Sequence, residues 1–118
     1  MTKERQMSKP RCELRPIGGG TPISVANDRV LIGSHRFCDV ILHSAHVDPV
    51  HCELRMRPRG WFVRNLSGRG GTKLNGLSVM EEQLSPGDVL WIGGHCKYEV
   101  QFALERMNDS RDSPPATE

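Results

Sequence analysis

The chain has 118 residues, 36% hydrophobic and 25% charged, with a formal net charge of +2. That length suits one hydrophobic core, and so small a net charge gives no strong overall field for a polyanion such as nucleic acid. No apolar run approaches the roughly 18 residues that span a bilayer, and no segment of useful length has helical periodicity.

Residues 1–10 are polar, with Lys3, Glu4, Arg5 and Lys9, and are expected to form a flexible tail. Strand signals follow about every eight to twelve residues. Cys12 to Ile17 and Ile23 to Val25 are the early strands, split by Gly18-Gly19-Gly20. Val30 to Gly33 and Asp39 to Leu42 come next. His51 to Arg57 alternates, with His51, Glu53, Arg55 and Arg57 on one face and Cys52, Leu54 and Met56 on the other. Pro58-Arg59-Gly60 turns it into Trp61 to Asn65, a hairpin. Ser67 to Gly71 is too glycine-rich for a helix and leads into a short strand, Thr72 to Leu74. Asn75-Gly76 is a type I′ hairpin signal, so that strand folds straight back into Leu77-Ser78-Val79. Val89 to Ile92 and Lys97 to Leu104 close the set. From Arg106 the chain is polar again and ends Ser113-Pro114-Pro115-Ala116-Thr117-Glu118, a composition unable to bury enough apolar area to order itself. The expected organisation is a tail over 1–10, a domain over 11–105 and a disordered tail over 106–118.

The four cysteines, Cys12, Cys38, Cys52 and Cys96, include no Cys-x-x-Cys pair. Cys38 and Cys52 fall on predicted strands among apolar neighbours, where a free thiol packs as a small hydrophobe. A reduced, cytoplasmic protein is expected.

The order of motifs is specific where each piece alone is weak. Val30-Leu31-Ile32-Gly33 precedes Cys38-Asp39-Val40-Ile41, then Asp48-Pro49-Val50-His51-Cys52, Trp61, Gly70-Gly71-Thr72-Lys73-Leu74-Asn75-Gly76 and Gly87-Asp88-Val89-Leu90-Trp91-Ile92-Gly93. This set resembles the forkhead-associated (FHA) domain from about Val30 to Phe102. The resemblance implies an all-β sandwich of about eleven short strands in two sheets. It also implies a non-enzymatic, signalling protein-interaction module without cofactor or metal, whose end loops form a phosphothreonine-peptide cleft.

Three loops carry the unusual residues: Gly33 to Cys38, His43 to Val50, and Ser67 to Thr72. The family grips phosphate with an arginine after the first glycine, a serine three residues before the histidine, and an asparagine before Gly-Thr. Here those positions hold Ser34, Asp48 and Gly70. Two unit charges 4 Å apart repel by about 4 kcal/mol at an effective dielectric near 20, and a phosphate carries up to about two charges. The missing arginine removes roughly 1.5–3 kcal/mol more, and a micromolar complex has only about 8 kcal/mol in total. The usual phosphothreonine site is therefore expected to be degraded. The expected contact residues are Ser34, His35, Arg36, Asp48, Arg69 and Gly70, supported by Gly33, His51, Thr72 and Asn75. The expected partner is a protein or peptide, with neither nucleic acid nor membrane.

Other readings compete. Arg36 and Arg69 could rebuild a basic phosphate site, or could be solvated loop charges. The tails could be the working parts of a stand-alone regulatory domain. His43, His46 and His51 with Cys38 or Cys52 have a spacing usable by zinc, but no cysteines are paired and the resemblance gives His51 a buttressing role. His95 reads as a plain surface residue. Asp48 with His51 could be written as a catalytic pair, yet no orienting third group is marked. Phe37 is either an exposed contact residue or folded over the sandwich end, with the second reading slightly favoured.

Overall fold

The computed structural model describes residues 10–25, 27–68 and 71–104. The expected tails lie outside these residues, except that Pro10 opens the first strand. Among the described residues there are eleven strands and no helix. They are β1 (Pro10–Pro16), β2 (Ile23–Val25), β3 (Arg29–Gly33), β4 (Val40–Ile41), β5 (Cys52–Arg57) and β6 (Gly60–Asn65), then β7 (Thr72–Leu74), β8 (Leu77–Ser78), β9 (Glu81–Gln83), β10 (Val89–Ile92) and β11 (Cys96–Leu104).

Two sheets result, ordered β2-β1-β11-β10-β7-β8 and β4-β3-β5-β6-β9. Period-2 alternation explains how they pack. Cys12 and Leu14 of β1, Leu90 and Ile92 of β10, and Val100 of β11 turn inward from the six-stranded sheet. Val30 and Ile32 of β3, Leu54 of β5, and Trp61 and Val63 of β6 turn inward from the other. All are buried in one core. At roughly 1.5–3 kcal/mol for each large apolar side chain, this burial is the main term holding the sheets together.

β9 was not legible in the sequence. Glu81-Glu82-Gln83 has neither β propensity nor alternation, and all three residues are exposed. It forms because the edge of β6 is available, with Phe62 opposite Gln83 and Arg64 opposite Glu81. The expected polar face of β5 also needs correcting. His51, just before the strand, is 1% exposed and Glu53 is 3% exposed. Glu53 lies between Leu31 and Arg64 in register and pairs with Arg29. A buried carboxylate survives only with such a partner.

The Asn75-Gly76 turn has φ of 53° and 86° at its two central residues, the double positive φ of a type I′ turn. It closes the hairpin in which Leu74 faces Leu77.

Candidate functional site

The ends of β3, β6 and β10 and the starts of β5 and β7 meet at one tip of the sandwich, where three loops are locked together. Ser34 N–H donates to the Asp48 carbonyl (3.0 Å) and His35 N–H to the Pro49 carbonyl (3.1 Å). The approach is close at Gly33, where a Cβ would stand 2.1 Å from the Pro49 carbonyl oxygen. Only glycine fits there. The Cys38 thiol donates to that same Pro49 carbonyl at 3.1 Å.

Beneath these loops lies His51. Its Nδ1 accepts the Asp48 N–H at 3.0 Å, so the ring proton is on Nε2. Its backbone N–H donates to Ile32 and its carbonyl accepts from Leu66 N–H. One residue thus ties β3, the 44–50 loop and the 66–71 loop together. Nε2 has no hydrogen-bond partner among the described residues. A Cβ on Gly71 would come within 2.9 Å of both Cε1 and Nε2, so glycine at this position lets the backbone pass this close to the imidazole.

A second knot was missed by the sequence reasoning. Asn65 Oδ1 accepts from the Thr72 hydroxyl (2.8 Å) and from Ser67 N–H (3.1 Å), while its Nδ2 donates to the Ser67 carbonyl (3.0 Å). Asn65, Ser67 and Thr72 are all buried. Asn-x-Ser beside a glycine loop is an Asx-turn signal that could have found it. The Ser67 hydroxyl then donates to Asp48 Oδ2 at 2.8 Å. That bond fixes the carboxylate on the wall of a cleft of about 160 Å³ lined by Ala45, His46, Asp48, His51, Ser67, Gly71 and Gly93.

The structure brings Ser34, His35, Asp48, Gly33, His51 and Thr72 to this tip. Arg69 and Gly70 lie outside the described residues. Asn75 sits at the far end of β7, where its side chain bonds Asp88 (3.1 Å) and Val89 N–H (2.9 Å) rather than the tip loops. Phe37 does not fold over the sandwich end: it is 64% exposed. Its ring packs on His35 at 3.9 Å between centroids, and its N–H donates to His35 Nδ1 at 3.1 Å. The local hydrogen bond and ring contact hold the loop without covering the phenyl ring. Arg36 beside it is exposed. His95, expected as a plain surface residue, is exposed and its ring lies against that of His46, with centroids 4.5 Å apart and planes tilted by 54°. Among the described residues no group of three His, Cys, Asp or Glu side chains could hold a metal ion. Burial pushes the Cys52 thiol up to about 12, and burial likewise raises that of Cys38. Neither is primed as a nucleophile. No helix among the described residues is long and apolar enough to cross a membrane.

Comparison with known proteins agrees with this architecture. An FHA domain from work on phosphothreonine-dependent FHA interactions is 26% identical, with a TM-score of 0.69, over 77% of this chain and 95% of that one. The FhaA FHA domain, solved in complex with the intracellular domain of Rv3910, is also 26% identical, with a TM-score of 0.68, over 76% of this chain and 99% of that one. An FHA domain of an Arabidopsis thaliana hypothetical protein shares the fold at 20% identity, with a TM-score of 0.73 over 95% of this chain and 94% of that one. No curated protein matches. The FHA domain model matches residues 30–93, more than half of the chain, with the clamped glycine, the buried imidazole and the Gly-Thr loop all inside that span; the chain belongs to the FHA domain family.

Proposed function

We propose that this FHA domain is a non-enzymatic protein-interaction module whose tip captures a protein or peptide partner without depending on phosphothreonine. One observation carries the reading: the Asp48 carboxylate, held by the Ser67 hydroxyl, occupies the cleft wall where the family's pattern has a phosphate-gripping serine. Ser34 and Gly70 stand where the pattern has an arginine and an asparagine. The scaffold beneath is retained in His51, Gly33, Gly71 and Thr72. An acid in place of a hydroxyl donor repels a phosphoryl group by a few kcal/mol. Two relatives at 26% identity come from work on phosphothreonine-dependent interactions and from a complex with a protein domain, which supports binding of a protein partner. The four free thiols suit the reducing cytoplasm.

Calorimetric titration with a matched pair of threonine and phosphothreonine peptides tests the reading. No preference for the phosphorylated form is expected. Micromolar binding of the phosphopeptide alone would overturn it, and would point instead to a basic site rebuilt on Arg36 and Arg69. Loss of that binding in Arg36→Ala and Arg69→Ala would identify that site.

A further inference from the structure

The outer face of the five-stranded sheet carries an unusual charge pattern. Arg29 of β3 is directly opposite Arg55 of β5, and Arg55 is opposite Phe62 of β6. Glu53 is opposite Arg64, so Arg64 shares this face. Arg57 lies over the Phe62 ring, 5.5 Å from its centroid. All four arginines are exposed. Acids engage two of them: Glu53 pairs with Arg29, and Glu81 with Arg57 at 3.0 Å. The guanidinium groups of Arg55 and Arg64 make no ion pair or hydrogen bond among the described residues.

Like charges directly opposite on a sheet destabilise it, but Glu53 offsets the charge of Arg29, which leaves Arg55 and Arg64 as the cations of this face without an ion pair. The choice of cation is also informative. The cations of this face are arginines, while the described lysines, Lys73 and Lys97, are on the other sheet, packed against Trp91. Lysine would serve solubility alone. Guanidinium is the group that engages carboxylates through paired, geometrically fixed hydrogen bonds.

We propose that this arginine face is a second docking surface, separate from the tip, and that it takes an acidic, carboxylate-rich segment of a partner protein. Arg55 and Arg64 provide the unengaged guanidinium groups. Phe62, with Arg57 over its ring, gives an apolar floor between them and the β5–β6 turn. The acids of the partner meet the two guanidinium groups that no acid of the described residues engages.

Fluorescence anisotropy with a labelled peptide of alternating Glu and Ser, and its Gln-for-Glu counterpart, tests the surface on the full chain. The acidic peptide is expected to bind, to weaken with added salt, and to bind about tenfold less tightly to Arg55→Gln/Arg64→Gln, a loss of about 1.4 kcal/mol. The Arg55→Lys/Arg64→Lys pair keeps the charge and is expected to weaken binding about threefold through lost paired geometry; it decides the matter should the Gln variant melt early. Phe37→Ala, at the tip, is expected to leave this binding unchanged, which separates the surface from the tip reading. Equal binding of the Gln peptide, unchanged affinity in both arginine variants, or tighter binding of duplex DNA through the same arginines would each overturn the proposal.

Discussion

Gly71 is where the 66–71 loop meets the buried imidazole. A Cβ there would lie 2.9 Å from two ring atoms of His51, and the ring is pinned through Nδ1. Overpacking of this kind costs about 1–3 kcal/mol. Gly71→Ala is therefore expected to lower the melting temperature by about 4–8 °C per kcal/mol lost, whereas Gly68→Ala, where a Cβ meets nothing within 4 Å, should melt close to the parent. The thiols give a second residue-scale expectation. Burial raises Cys12 and Cys52 to about 12 from 9.0. Between those values the unfolded chain has released protons that the folded chain retains, so stability falls as pH rises, by up to about 1.4 kcal/mol per pH unit per thiol. Urea melts from pH 9 upward should show this decline, and Cys52→Val should make it shallower, leaving the part due to Cys12. An equal slope in the variant would show that the thiol is not responsible.

At the scale of elements, the β7–β8 hairpin depends on a left-handed residue that is not glycine. Asn75 has φ of 53°, and its side chain bonds both Asp88 and the Val89 N–H that leads into β10. It joins the hairpin to the neighbouring strand as well as turning it. Asn75→Ala loses those bonds and keeps the left-handed strain, at a cost of about 1–3 kcal/mol. Asn75→Gly removes the strain and should recover part of the loss. Thermal melts of the two variants check the order. A melting temperature for Asn75→Ala equal to that of the parent would show that the side-chain bonds contribute nothing.

Across the whole molecule, the frame and the chemistry of the tip separate. His51, Gly33 and Gly71 set how closely the tip loops approach one another, while the proposed function assigns the choice of ligand to the side chains at positions 34, 48 and 70. Ser34→Arg, Asp48→Ser and Gly70→Asn together should confer phosphothreonine affinity by removing the repelling acid and adding a guanidinium, a hydroxyl and an amide. A folded triple variant that still ignores the phosphopeptide would refute the assignment of these positions.

Ten of the eleven described strand positions, the Asn75-Gly76 turn and the family frame were determined by the sequence alone, because alternation and turn chemistry act over a few residues and need no distant partner. The tertiary structure decided the rest. Glu81 to Gln83 became a strand only because β6 offered an edge. Alternation put His51 and Glu53 on a polar face, and although the family resemblance implied a buttressing place for His51, only the packed loops and flanking strands show how both are covered. Asp48 was identified as an acid from the sequence, but its fixed place on the cleft wall depends on Ser67, nineteen residues further along the chain. The arginine face depends on β3, β5 and β6 pairing in register. These features are set by contacts between segments far apart in the chain, and no local pattern encodes which segments will meet.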